Sequence, residues 1–228
     1  EAETLVGGVL GGALKQGTLK QGQEIEIVAF ILDITNHSIY DDKFGYKKRK
    51  FTMNLIYEPE EDSFLLATCI SSYCNNKKVL DMGSGSGYLA LEAQKIALSV
   101  TCVDINETAV KHCKTLGLHA FVSDLFSTIS EKFDVILFNP PYLPFDEAED
   151  EESALITSGG KEGHEVLERF LFQGKQHLTE NGCILVLVSS LTPHVEELFK
   201  KYDYQFNLIK EKKLFFEILK VYCLTKYL

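Results

Sequence analysis

From residue 53 onward the sequence predicts an α/β fold, a mostly parallel sheet covered by helices on both faces and closed by an antiparallel hairpin. Three observations carry this. Strand-like apolar runs alternate with segments of helical length along residues 78–201, and such alternation needs crossover connections. The first strand runs straight into Gly83-Ser84-Gly85-Ser86-Gly87, a glycine-rich junction into a helix whose first N–H groups are free. The last two strands, near 205–209 and 214–224, are separated only by a short Lys/Glu turn, so they form a hairpin.

Each element has a local cause. A helix opens at Glu61-Asp62-Ser63, acidic residues suited to a helix N-terminus, and continues through Phe64, Leu65, Leu66, Cys69 and Ile70. A strand at 78–82, a helix at 88–97, a strand at 100–104, a helix at 107–115 and a strand at 120–123 follow. Residues 133–138, an apolar run with β-branched members, read as a buried strand. It stops at Asn139-Pro140-Pro141-Tyr142. Prolines cannot donate to a sheet ladder, and Pro140 pushes Asn139 into an extended conformation. An amide is thereby parked on stiff backbone at a strand end, with an aromatic ring beside it. A helix at 162–178, a strand at 183–189 and a helix at 193–201 complete the run before the hairpin.

The chain has 228 residues, 45% of them hydrophobic, enough for one sizeable domain and an appendage. Residues 1–52 carry seven basic and seven acidic groups, so the whole net charge of -10 belongs to residues 53–228. A nucleic-acid binder usually shows a basic face, so nucleic acid is not the expected partner. Six cysteines lie scattered without a Cys-x-x-Cys pair, and six histidines show no metal spacing. Free buried thiols in a reducing cytosol are expected, with no metal in this chain. No apolar stretch approaches the roughly 20 residues of a membrane helix, and the opening EAETLVGGVL lacks a basic leader; the expected location is cytoplasmic. Residues 146–152 hold six acids in seven positions directly after the proline motif. They read as a solvated loop, and more sharply as a mobile gate that disfavours phosphate backbones.

Residues 1–52 differ in character. Six of the sixteen glycines fall within residues 5–27, which end in the alternating Glu24-Ile25-Glu26-Ile27, like short strands joined by glycine turns. From 28 to 50 the pattern dissolves into Lys47-Lys48-Arg49-Lys50, and a poorly ordered tail is expected. Residues 5–27 resemble part of the β-barrel domain of the translation initiation factor 2 gamma subunit, without its GTP-binding domain. The working protein is expected to begin near Met53, with 1–52 an N-terminal extension or fused fragment.

Acidic residues end three successive strands. Asp81 ends the first. Asp104 ends the second, about 20 residues past the glycines, where a carboxylate bonds ribose hydroxyls. Ser123-Asp124-Leu125 ends the third, where Asp124 can accept from an adenine amine. The spacing G-x-G-x-G is not the G-x-G-x-x-G of dinucleotide enzymes, and no Gly-Lys-Ser/Thr follows. Together with Asn-Pro-Pro-Tyr on the fourth strand, this resembles the S-adenosylmethionine-dependent class I methyltransferases that methylate amino groups. The resemblance implies a Rossmann-like, mostly parallel seven-stranded sheet. It implies cofactor contacts at Ser63, Asp81, Gly83, Ser84, Gly85, Gly87, Asp104, Ile105, Asp124, Leu125 and Asn139. Catalysis would fall to Asn139, Pro140, Pro141 and Tyr142. The motif occurs both in adenine-N6 methyltransferases of DNA and RNA and in protein glutamine-N5 methyltransferases. Their shared acceptor is a planar, weakly nucleophilic NH2, which the Asn139 oxygen and the Pro140 carbonyl would orient.

Other segments separate the two. Tyr57-Glu58-Pro59-x-Glu61-Asp62-Ser63-Phe64-Leu65-Leu66 resembles the opening of the HemK-like glutamine methyltransferases of archaea and eukaryotes. Gly159-Gly160-x-x-Gly163-x-Glu165-Val166-Leu167-Glu168-Arg169-Phe170 and Phe215-Phe216-Glu217-Ile218-Leu219-Lys220-Val221 resemble further segments of that family. His164 stands where many relatives carry Arg. No segment of residues 1–228 resembles the long helical N-terminal domain of the bacterial branch, so the short archaeal and eukaryotic branch is the expected one. This resemblance implies a substrate, the glutamine of the Gly-Gly-Gln loop of a class 1 peptide-chain release factor. It also implies a small zinc-binding activator protein that adds a strand to the sheet edge, here the strand at 120–123.

Overall fold

The computed structural model describes residues 31–33, 38–40, 49–50, 56–144 and 157–227. The expectations placed on residues 5–27 and on the acidic run 146–152 lie outside these. The chain divides into units Glu1–Met53 and Asn54–Leu228. In the first, β1 (Ile31–Asp33), β2 (Ser38–Tyr40) and β3 (Arg49–Lys50) pair antiparallel in the order β1-β2-β3. These pairings fall in the stretch where the sequence shows no strand alternation.

The second unit holds α1 (Glu61–Tyr73), β4 (Lys78–Met82), α2 (Tyr88–Gln94), β5 (Ser99–Asp104), α3 (Glu107–Thr115), β6 (His119–Val122) and β7 (Phe133–Phe138). Two short strands follow, β8 (Leu143–Pro144) and β9 (Ser158–Gly160), then α4 (Glu165–Gly174) and β10 (Leu178–Ser189). The chain finishes with α5 (Val195–Lys201), β11 (Tyr204–Lys213) and β12 (Ile218–Lys226). Seven strands form one sheet in the order β11-β12-β10-β7-β4-β5-β6. All neighbours pair parallel except β12, which runs antiparallel to both β10 and β11. The expected class is therefore the observed one, with the expected third strand, now β6, at one edge.

Side-chain alternation explains the layering. In β7, Ile136 and Phe138 join one core cluster with Leu167, Phe170 and Leu171 of α4 and with Phe199 of α5. Val135 and Leu137 join the other, with Leu65, Leu66 and Ile70 of α1 and Leu89 and Ala93 of α2. β10 splits the same way, with Ile184, Val186 and Val188 on one face and Leu185 and Leu187 on the other. Both faces are buried, so these strands read as continuous apolar runs. The two edges differ. β11 carries Lys210, Glu211, Lys212 and Lys213, all exposed, a charged border that discourages further pairing. β6 instead exposes Phe121 and Val122.

The helix expected at 162–178 is shorter. Gly160 and Gly163 hold positive φ, β9 takes 158–160, and residues 175–177 tighten into a 3-10 turn. β10 starts at Leu178 rather than at 183, because a bulge absorbs the polar residues between Leu178 and Cys183.

Candidate active site

β4, β5, β6, β7 and β10 are parallel, so their carboxyl ends share one rim. The chain winds outward from β4 through β5 to β6, then crosses back to β7 and β10. Strand order thus reverses between β4 and β7, the place where open α/β sheets bind ligands. There Asp81 pairs with Leu137 and Met82 with Phe138, and Asn139 follows at once.

On the β4–β6 side the glycine loop is already hydrogen-bonded within the protein. The N–H groups of Gly83 and Ser84 donate to the Val103 carbonyl at 2.8 and 3.1 Å, and that of Gly87 to Ser84 at 2.7 Å. The Gly85 N–H donates to the Asp104 carboxylate at 2.8 Å, and the Asn106 N–H donates to its other oxygen at 2.8 Å. A loop with its amides so committed is not a phosphate cradle. The neighbouring Asp81 carboxylate, by contrast, lacks donors among the described residues. Asp81 is fully buried, and neither of its oxygens has a hydrogen-bond partner among the described residues. Burial first, and the Asp104 charge second, push its carboxyl up to about 7. The Ala90 amide and the Ser84 hydroxyl oppose the shift without completing a hydrogen bond to either oxygen; the Ser84 hydroxyl donates to the Asp81 and Val103 carbonyls instead. Asp104 is raised as well, chiefly by burial. A ligand with an ammonium group, hydroxyls and no phosphate fits this chemistry, because cations and donors relieve buried carboxylates.

The remaining expected contacts are arranged unevenly. Ile105 is exposed beside Asp104. Asp124 receives Arg169 Nη2 of α4 at 2.6 Å, a half-exposed pair. Leu125 adopts φ +49°, and its side chain is buried in the core rather than at the rim. Gly87 faces away from the rim: a Cβ there would sit 2.9 Å from Leu118 and 3.2 Å from the Cys113 sulfur. Its role is the close approach of α2 to the α3–β6 layer.

On the β7 side the Asn139 amide nitrogen donates to Ser63 Oγ at 3.3 Å, and its oxygen is buried without a donor among the described residues. Ser63, in the first turn of α1, therefore fixes which way the amide faces. Asp62 lies behind it, 3% exposed, accepting the Tyr57 hydroxyl at 2.6 Å and the Ser63 N–H. Tyr57 reaches back to the glycine loop, since a Cβ on Gly85 would touch Tyr57 Cβ and its carbonyl oxygen at 3.5 Å. Pro140 is buried, while Pro141 and Tyr142 are half-buried. The Tyr142 carbonyl accepts from Thr192 Oγ1 at 3.4 Å. Its phenol is raised by burial and then by the charges of Asp62, Glu217 and Glu60.

Behind this loop β8 and β9 pair in parallel, Leu143 opposite Ser158. A Cβ on Gly159 would lie 2.2 Å from the Gly163 carbonyl oxygen and 2.7 Å from that of Pro141; one on Gly163 would meet the Tyr142 oxygen at 2.7 Å. Gly159 and Gly163 are glycine because the Pro-Pro-Tyr backbone occupies the space, and Gly160 because its φ is +114° against the Glu165 side chain. Glu165 closes the turn by accepting the N–H groups of Glu162 and His164. The His164 Nδ1 is buried without a hydrogen-bond partner among the described residues.

Sequence reasoning missed Asp62, Thr192 and Glu217 as neighbours of the amide. Asp62 read as a helix-terminal charge, and only burial distinguishes it from Glu61. Thr192 and Glu217 meet Tyr142 across long sequence separations that no local signal announces.

The methyltransferase small domain family matches residues 58–220. Over 154 residues the chain is 42% identical to a Methanocaldococcus jannaschii protein provisionally named a protein N5-glutamine methyltransferase; the match spans 64% of this chain and 78% of that one. A release factor glutamine methyltransferase of Streptococcus pneumoniae is 30% identical over 71% of this chain, which spans 63% of that longer protein's length. The Mtq2–Trm112 complex of E. cuniculi, described as responsible for methylation of the eRF1 translation termination factor, superposes with a TM-score of 0.64. That match is 26% identical and covers 76% of this chain and 99% of the matched one.

Proposed function

The chain belongs to the methyltransferase small domain family, and on that premise we propose that it is a protein-glutamine N5-methyltransferase acting on the Gly-Gly-Gln loop of a class 1 peptide-chain release factor. The observation that carries this is the Asn139 side chain, with its nitrogen held by Ser63 and its buried oxygen without a donor among the described residues. The names of the relatives support glutamine over adenine, as does the -10 charge.

S-adenosylmethionine, when bound, supplies an electrophilic methyl group on a sulfonium. Asp81 would take its ammonium group and Asp104 its ribose hydroxyls, with Ile105 against the adenine and Asp124 near its amine. Gly83, Ser84 and Gly85 would give the backbone close approach, and the buried amide would carry the reacting end. Asn139 Oδ1 accepts one N–H of the acceptor amide and the Pro140 carbonyl the other. The amide nitrogen is thereby oriented, and positive charge is relieved as it acquires a fourth bond. Tyr142 packs on the flat face of the acceptor. The proton becomes acidic once the methyl is in place and leaves to water, so no histidine base is needed. Incubating the enzyme with release factor and cofactor, then mapping the peptide by mass spectrometry, tests this. One added methyl on the loop glutamine is expected; a methyl elsewhere in the peptide overturns it.

The same reading gives β6 a partner. Phe121 and Val122 are 40% and 43% exposed on the edge strand, which pairs only with β5, beside a cavity of about 360 Å³ lined by Thr101, His119, Phe121, Thr128 and Ile129. This cavity lies at the sheet edge, away from the rim chemistry. A small zinc-binding activator adding a strand here would cover that apolar edge, as the neighbouring complex contains a second protein. Catalysis is assigned to 53–228, and 1–52 is read as an extension outside it. Among the described residues no helix is long and apolar enough to cross a membrane.

A further inference from the structure

The cofactor half of the rim lies over β4, β5 and β6, so a protein acceptor has to approach Asn139 from the β10–β12 side. β11 runs parallel to β10, since both are antiparallel to β12. Its turn into β12 therefore sits on the same rim as Asn139. That turn carries Phe215 and Phe216, 91% and 84% exposed, with ring centroids 4.6 Å apart at 84°. Leu191, 49% exposed, follows the end of β10 on the same side. Scattered exposed apolar residues are ordinary, but an aromatic pair presented together beside an active site marks an interaction surface.

The turn is physically continuous with the amide clamp. Glu217, next to Phe216, accepts the hydroxyl of buried Ser189. Ser189 in turn accepts the Leu191 N–H at 3.1 Å, and Thr192 holds the Tyr142 carbonyl. Where the turn meets the clamp, carboxylates gather, while Lys212 and Lys213 end the adjoining strand. The carboxylates of Asp62, Glu217 and Glu60 all bear on the Tyr142 ring. Lys212 neutralises Glu61, whereas Glu60 and Glu217 pair with no cation among the described residues.

We propose that Phe215, Phe216 and Leu191, with the uncompensated charges of Glu60 and Glu217, form the docking surface for the protein substrate. Its occupant is the segment flanking the acceptor glutamine, apolar where it crosses the aromatic pair and basic where it passes the carboxylates. The proposal rests on the glutamine reading above and deepens it. Aromatic anchors at the centre of an interface carry much of its energy, and unlike charges at the mouth set encounter rate and salt dependence. Glutamines in proteins without a basic flank would bind poorly for the same reason.

The test compares wild type with F215S/F216S and with F215L/F216L, using purified class 1 release factor and labelled cofactor. Both phenylalanines are exposed, so the serine variant keeps its core. The expected result is a KM for release factor raised by about tenfold or more, with kcat and cofactor affinity near wild type. F215L/F216L should recover most of the loss, and E60Q should raise KM and flatten its salt dependence. If wild type methylates release factor and F215S/F216S does so with unchanged KM, the docking surface is refuted and the glutamine reading stands. A loss of cofactor affinity in the serine variant equal to its loss of activity also refutes docking. Wild type that leaves release factor unlabelled overturns both.

Discussion

Replacing Gly159 with alanine tests how the acceptor clamp is held. The new Cβ would lie 2.2 Å from the Gly163 carbonyl oxygen and 2.7 Å from that of Pro141, where ordinary contacts begin at 3.4 Å. None of these obstacles is a flexible side chain; all are backbone. The β8–β9 pair and the Pro-Pro-Tyr segment therefore have to part by about 1 Å, and a misplacement of that size at reacting groups costs about 100-fold in rate. At 1.36 kcal/mol per tenfold, the barrier rises by about 2.7 kcal/mol. Asp81 and Asp104 stand on β4 and β5, outside the displaced segment, so cofactor affinity should hold. Single-turnover methylation and calorimetric cofactor titration read the two separately. Gly117→Ala is the control: its φ is +78° but nothing lies within 4 Å of the added carbon. That variant should lose about 1 kcal/mol of stability and no rate. A folded Gly159→Ala enzyme with wild-type kcat would refute the idea that the glycine segment positions the clamp.

Asn139→Ala should lower methyl transfer by about 100- to 1000-fold, the usual cost of losing a group that stabilises developing charge, while calorimetry still detects cofactor binding. Burial pushes the Asp81 carboxyl up from the ordinary carboxylate range to about 7. In the cofactor-free chain its destabilising effect should therefore grow as pH rises from about 4 to 7 and be complete above that. Asp81→Asn should accordingly melt higher than wild type at pH 8, with the gap closing toward pH 4. Cofactor affinity should follow the opposite course in wild type, rising with pH toward 7 as the carboxylate ionises, and Asp81→Asn should lose that dependence. Phe121→Lys on β6 should abolish co-purification of an edge-binding activator, measured by pull-down from a co-expression, while cofactor binding persists.

Much of the fold was legible because both faces of the sheet are buried. Residues 133–138 are a continuous apolar run for that reason, and the strand is found where the run is. The rim carboxylates were legible because strand ends coincide with the ligand edge. Less accessible were features set by tertiary approach. The helix α4 starts three residues later than expected because Gly159 and Gly163 pack against the Pro141–Tyr142 backbone, a constraint invisible in residues 157–165 alone. Ser63 and Asn139 meet across 76 positions, and Asp62 differs from Glu61 only in burial. Asp124 looked like a free strand-end acid, yet Arg169 reaches it from a helix 45 residues away. Leu125 and Gly87, adjacent in sequence to rim residues, turn into the core because side chains there alternate or are missing.

The central claim is that the flat NH2 gripped at Asn139 belongs to a glutamine. It is tested most directly by offering labelled S-adenosylmethionine together with release factor, its loop Gln→Ala variant, and DNA and RNA in separate reactions. The account predicts label in intact release factor alone. Label on nucleic acid, or equal label on the Gln→Ala variant, would contradict it.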